Sequence, residues 1–354
     1  MSVDRRQFVQ QWAVAGLAGM GLASCAKPPK REQVLASLAR EVVTADVADV
    51  VAESRDFEAA LGRFLGAPGR EALVAARDAW KRAMLAWKRA YCFRSGPLVD
   101  TNALLRTTFW PVRPAAIDAA LAAPTPVDDA FVEELGVDAK GLFAIEALLF
   151  PEQGDTDAVV ALFAGAEHER RRSFMAALAR HVSANATRAA GVLGNGHAFA
   201  EQFAAGGQQS LNRLIGQMVS TVENVASNRL NLVLGLDKSH MLRPSQVEGW
   251  PSGTSQAIAL ALLIGTQRLY DGEGRLSELV KAAAPAIDQR IRSGFAAAVV
   301  SVEKLGAPLE QIVKVDRGAL EAAVVATKAL EVAMKVDLAS ALGITITFQS
   351  GDGD

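Results

Sequence analysis

Alanine and leucine recur at helical spacing along almost the whole chain, while alternating strand-like runs are nearly missing. That pattern restricts the fold more than any single motif. Apolar residues that return every three or four positions are buried as helix faces, and such faces must pack on one another. Between Arg77 and Arg94, Trp80, Met84, Trp87 and Tyr91 fall on one face of a helix. Further long helices are expected over 30–53, 156–193, 208–234, 255–269, 276–305 and 316–342. Pro285 should break the helix that contains it, because proline lacks the N–H an interior position needs. Asp316 has the character of an N-cap. The one convincing β-like run is Ile344-Thr345-Ile346-Thr347-Phe348, too short to build a sheet alone.

With 354 residues, half of them hydrophobic, the chain can fill one large or two ordinary cores. Loops gather at 96–97, 111–114, 124–129 and 193–207, and the last is the best candidate junction. The expected fold is therefore all-α: two tandem helical-bundle domains, 25–200 and 201–354, with at most a short β-like segment near the C-terminus. A balance of 37 basic against 39 acidic residues gives no electrostatic footprint for nucleic acid.

The N-terminus reads as an export signal. Asp4-Arg5-Arg6-Gln7-Phe8 is a twin-arginine pattern, an apolar stretch runs from Trp12 to Ala23, and Leu22-Ala23-Ser24-Cys25 resembles a bacterial lipobox. On this reading residues 1–24 are signal peptide and Cys25 is the lipidated first residue of the mature chain. Ala26, rather than Asp, after the cysteine directs such a protein to the periplasmic face of the outer membrane in a Gram-negative cell. No apolar run of transmembrane length follows. Cys92 is then the single free thiol, and between Tyr91 and Phe93 it reads as a small buried hydrophobe rather than a nucleophile.

The familiar catalytic spacings are missing. His168, His181, His197 and His240 form no HExxH, and there is no CxxC, Walker loop or G-x-S-x-G elbow. The chemistry must come from less common arrangements. KGLFAIEALLF, residues 140–150, is apolar around the whole helical wheel except at Glu146, and a helix of that kind is enclosed by neighbours. An enclosed carboxylate either takes up a proton or finds a cation. The cation would be an arginine such as Arg94, Arg106 or Arg113, which is architecture, or a metal or ligand, which is function. In EGWPSGTS, residues 248–255, hydroxyls precede an apolar helix. They read either as N-caps or as an oxygen-ligand or anion site. Gln217, Ser220, Asn224, Asn228 and Asn231 form an uncharged polar row that suits a solvated face or an inter-domain groove. Asp352-Gly353-Asp354 ends the chain with acidic groups.

Five stretches, in order across nearly the whole mature chain, resemble the imelysin-like proteins: AWKRAMLAWKRAYCFRSGP (79–97), FWPVRPAAID (109–118), GLFAIEALLF (141–150), EGWPSGTS (248–255) and LGITITFQSGDGD (342–354). The resemblance implies two helical bundles with a site between them, an envelope location, and a role in uptake of iron or another metal, free or complexed. The family hallmark is a G-x-H-x-x-E motif proposed to bind metal. Here it stands as Gly141-Leu142-Phe143-Ala144-Ile145-Glu146, with Phe143 at the histidine position, and phenylalanine cannot coordinate a metal. The sequence looks closer to a branch reading G-L-P-A-L-E. The resemblance then places Glu146 at the centre of a ligand site, with Arg94, Trp110, Trp250, Ser252 and Asp352 around it. Glu146 is the only metal ligand the motif would leave, for a divalent or ferric ion. A helical module docking an outer-membrane or periplasmic protein is the alternative. The peptidase activity once linked to the family needs a metal-activated water or a nucleophile with its base, and the sequence offers neither.

Overall fold

The computed structural model describes residues 29–151, 155–235, 246–272 and 276–344. Cys25, Asp352 and most of the 344–348 run lie outside them. The described residues contain no strand, and their helices of eight residues or more are α1 (Arg31–Leu38), α2 (Thr44–Gly66), α3 (Arg70–Ala90), α4 (Pro114–Ala122), α5 (Gly141–Leu149), α6 (Glu169–Leu193), α7 (His197–Ala205), α8 (Gly207–Asn224), α9 (Ser255–Asp271), α10 (Leu276–Ala283), α11 (Pro285–Glu303) and α12 (Arg317–Ala333). None is long and apolar enough to cross a membrane.

The helices pack in two sets. In the first, α2 lies against α3 and α6, and the short α5 is held between α3 and α6. In the second, α11 packs on α12, with α8 and α9 completing the group. The sets are joined chiefly where α3 crosses α9. Sequence explains that crossing. Gly265 on α9 lies so close to α3 that a Cβ there would stand 2.9 Å from Cys92 Sγ and 3.0 Å from Arg89 Cα. The Cys92 thiol donates to Leu262 O across the same contact (3.1 Å). Burial pushes this thiol up to about 12, so it is an inert packing group, as the apolar context of Cys92 implies.

The stripe of α3 is buried as its periodicity predicts. Trp80 and Trp87 are fully enclosed, and each satisfies its indole N–H: Trp80 on Leu142 O (2.9 Å) and Trp87 on Ser54 Oγ (3.0 Å). Arg77, one turn earlier, donates twice to Leu149 O (2.9 and 2.6 Å). Trp80 and Arg77 thus pin both ends of α5 to α3.

Elsewhere the structure refines the expected boundaries. Pro285 separates α10 from α11 and sits in the first turn of α11. The Asp316 carboxylate accepts from Ala319 N (2.9 Å) and caps α12. The expected helix over 156–193 is interrupted: Thr156–Ala161 stops before Gly165, whose φ of +86° no ordinary residue adopts easily, and α6 begins at Glu169. The segment 193–207, expected as a loop, contains α7 between Gly196 and Gly206. The apolar residues Ala200, Phe203 and Ala204 bury against neighbours, and Phe203 meets Phe93 edge-on (5.3 Å).

Candidate functional site

Glu146 occupies the middle of α5, fully excluded from solvent. The start of α5 approaches the short helix Ala103–Thr108 so closely that a side chain at Gly141 would lie 2.5 Å from Thr107 O and 2.9 Å from Arg106 O. Gly141 also takes φ +80°. The motif glycine is therefore explained by a turn and a close approach, without any ligand.

The partner of Glu146 comes from the turn before α9. Gly249 (φ +79°) and Gly253 (φ +67°) fold residues 247–254 back on themselves, with Thr254 N donating to Gly249 O (2.9 Å). This aims Ser252 at α5. Its amide and its hydroxyl both donate to Glu146 Oε1, at 3.2 and 2.5 Å. A serine hydroxyl has one proton, so once it points at Glu146 its contact with Thr254 Oγ1 (2.7 Å) has the threonine as donor. Oε2 of Glu146 is buried and has no hydrogen-bond partner among the described residues. Burial raises this carboxyl to about 7, opposed by the two Ser252 bonds, and Glu248 nearby adds to the rise while Lys88 opposes it.

A buried ion cluster lies beside it. Lys88, on α3, is 2% exposed and donates to Glu248 Oε1 at 2.5 Å. The second oxygen of Glu248 is bonded by Arg229. Arg229 belongs to a π-helical segment, Val225–Asn231, that continues α8. Burial alone would raise Glu248, but Arg229 and Lys88 flank it and hold it below the usual carboxylate range. The Lys88 ammonium also lies over the ring of Phe143, 5.0 Å from its centroid, and over Tyr91 at 5.5 Å. Burial pulls Lys88 below the usual lysine range, opposed by Glu248; with all four groups ionised, the cluster carries two carboxylates and two cations and is neutral.

The expected site residues are placed as follows. Ser252 bonds Glu146 directly. Trp110 is half-buried and reaches the centre through Phe143 (5.0 Å between rings). Trp250 is in the same turn as Ser252, its amide bonded to Val247 O (3.1 Å). Arg94 is directed to α8, donating to Thr221 Oγ1 (3.0 Å) and Gln217 O (3.4 Å), and stacks on Tyr91. Arg106 pairs with Glu133 and Arg113 with Asp138 (3.2 Å). Glu146 therefore pairs with none of the three candidate arginines, and its bonds come from serine. Ser255 does not cap its own helix: its hydroxyl donates to Glu310 (2.6 Å) and accepts from Leu309 N (2.9 Å), tying α9 to the helix Leu309–Val315. Of the polar row, Gln217 binds the segment that follows α3, through Arg94 N (3.1 Å) and Ser95 Oγ (3.0 Å), whereas Ser220 and Asn228 face solvent.

Lys88 and Arg229 are site residues that sequence reasoning passed over, while Glu248 and Thr254, inside the 248–255 stretch, take roles it did not assign to them. Lys88 carried a usable signal. It stands four residues after Met84 on the buried stripe of α3, where a lysine needs an explanation.

The residues present do not fit the metal site that the family motif implies. The histidine position is a phenylalanine with an ammonium over its face. Among the described residues no group of three or more His, Cys, Asp or Glu side chains converges as a metal site would require.

Fold and centre together define a class: an all-helical protein of two packed helix sets, with a buried glutamate locked to a hydroxyl turn at the place where the sets meet. Residues 43–334 match the family described as Imelysin, most of the chain, and the protein belongs to that family. Two solved structures share the fold. An imelysin-like protein from Psychrobacter arcticum superposes with a TM-score of 0.68 at 18% identity, over 90% of this chain and 97% of that one. A "putative iron-regulated protein A precursor" from Parabacteroides distasonis gives 0.72 at 17% identity, over the same shares. No curated protein matches the chain.

Proposed function

We propose that this protein is an exported, lipid-anchored binding protein of the cell envelope. It would act without catalysis in the acquisition of iron or another metal, taken in complexed form. The observation that carries the reading is Glu146 itself: Oε1 is held by two Ser252 bonds while Oε2, equally buried, is left without a donor. A buried acceptor in that state is costly unless something supplies a donor or a proton. The half-buried Trp110, Tyr91 and Arg94 continue outward from the centre by ring and cation contacts, which suits an organic ligand framework. Family membership and the iron-regulated description of one fold neighbour support the metal connection. The twin-arginine and lipobox patterns support export and anchoring at Cys25. The two helix sets are taken as the two bundles, dividing near residue 200.

The test is titration of the mature chain without its lipidated cysteine, residues 26–354, with ferric citrate and other ferric complexes, beside its Glu146→Ala variant. Binding by the wild type, lost in a variant that keeps its helical circular dichroism, is expected. Equal binding by the variant removes Glu146 from the site, and no binding by the wild type removes the function.

A second reading, a helical module docking an envelope protein, is favoured by one surface. Val325, Val332 and Val336 are 69, 58 and 61% exposed and follow one another at helical spacing along α12 and its continuation.

A further inference from the structure

Lys88 is the group that the reading above leaves unused. A lysine with 2% of its surface exposed is rare, and its three N–H donors must be accounted for. One goes to Glu248 Oε1 at 2.5 Å. The ammonium otherwise faces two aromatic rings, Phe143 at 5.0 Å and Tyr91 at 5.5 Å. Phe143 is at the position where the family motif has its histidine, on the same helix and one turn before Glu146. The positive charge of Lys88 therefore lies against residue 143, the motif's ligand position, and favours the ionised form of Glu146. Glu248, the other carboxylate of the centre, is already bonded by both Lys88 and Arg229.

We propose that Lys88 is the resident cation of this centre: its ammonium, seated on Phe143 and paired to Glu248, takes the place of a metal, so the protein binds no free metal ion at Glu146. Two substitutions relative to the motif pattern then make one physical unit. Phenylalanine removes the ligand and offers a π face, and lysine supplies a charge for that face. A histidine at position 143 would gain nothing while the ammonium stayed, because a dication and an ammonium repel at such range in a poorly solvated site. The proposal deepens the reading of Glu146 as the ligand-facing group by confining its ligand to molecules that bring N–H or O–H donors to Oε2.

The experiment measures Zn2+ and, anaerobically, Fe2+ binding by calorimetry and by metal content after desalting. Four proteins are compared: wild type, Phe143→His, Lys88→Met, and the double variant. The wild type and both single variants are expected to hold no stoichiometric metal at this centre. The double variant offers an imidazole at position 143, the Glu146 carboxylate and a Glu248 released from Lys88, and is expected to bind one Zn2+ at least 100-fold more tightly than the wild type. Tight metal in the wild type, lost on Glu146→Gln, overturns the proposal. So does a Phe143→His protein that binds as well as the double variant, or a folded double variant that binds none. If the double variant loses its helical spectrum, the wild type and Phe143→His decide: metal in either overturns the proposal, and none in both sustains it. Ferric citrate binding is scored separately, so failure of the ligand reading leaves this result standing.

Discussion

At the scale of single residues, Glu146 shows how a buried carboxylate is tolerated without an arginine. Two donors from Ser252 hold one oxygen, Lys88 supplies charge nearby, and burial still lifts the group from 4.5 to about 7. The sign of the consequence is fixed. A carboxyl that binds its proton more tightly when folded adds stability that is complete below its unfolded value near 4.5. That contribution falls as the pH rises and is gone above about 7. The amount at stake is on the order of 3 kcal/mol. Glu146→Gln keeps the acceptor for Ser252 and cannot ionise. Its unfolding free energy should match that of the wild type near pH 4.5 and exceed it increasingly up to pH 7, with a constant difference beyond. Urea unfolding at pH 5, 6, 7 and 8 measures this, and parallel curves for the two proteins would show that Glu146 does not titrate in this range. The sequence disclosed that Glu146 needed a proton or a partner, from the apolar residues surrounding it. It did not disclose that Ser252, more than a hundred positions later, would be the partner.

At the scale of elements, the crossing of α3 and α9 depends on one missing side chain. In an ordinary helix interior, replacing glycine by alanine adds about 1 kcal/mol of stability. At Gly265 the added methyl would meet Cys92 Sγ and the Arg89 backbone. Overpacking of this kind costs about 1–3 kcal/mol. Gly265→Ala is therefore expected to lower the urea midpoint, and a raised midpoint would show that the two helices separate at no cost. The same scale marks where pattern reading stopped. Helical stretches, the break at Pro285 and the Asp316 cap were legible because each is local chemistry. The π-helical turn Val225–Asn231 was not. It inserts a wider turn after α8, and Arg229 within it reaches Glu248. Helical periodicity does not announce a single widened turn. Helix α7 was missed for a related reason: its short apolar face lies between glycines that read as loop residues.

At the scale of the molecule, the proposed docking and the proposed anchoring are tested separately. The valine stripe on α12 and its continuation exposes branched apolar side chains that a solvated face has no use for. Val332→Asp with Val336→Asp should leave thermal stability within about 0.5 kcal/mol, since exposed positions contribute little. It should abolish recovery of any specific membrane partner in a pull-down. Recovery of the same partner by the variant would remove that stripe from the interface. For anchoring, an exported Cys25→Ser chain should be released from membranes and carry no acyl group, and continued acylation would end the lipobox reading.

Helix content, the division into long elements and the singular position of Glu146 were determined by the sequence alone, because periodicity, proline and capping act within a few residues of one another. The family motifs added the expectation of a centre built from residues 141–146 and 248–255. Only tertiary structure decided what that centre contains. Lys88, Arg229 and Glu248 come from three separate segments, and nothing in the linear order pairs them. Their roles follow from burial: once water is excluded, each charge must find its opposite. Distance in space, which the linear order does not state, selects which one it finds.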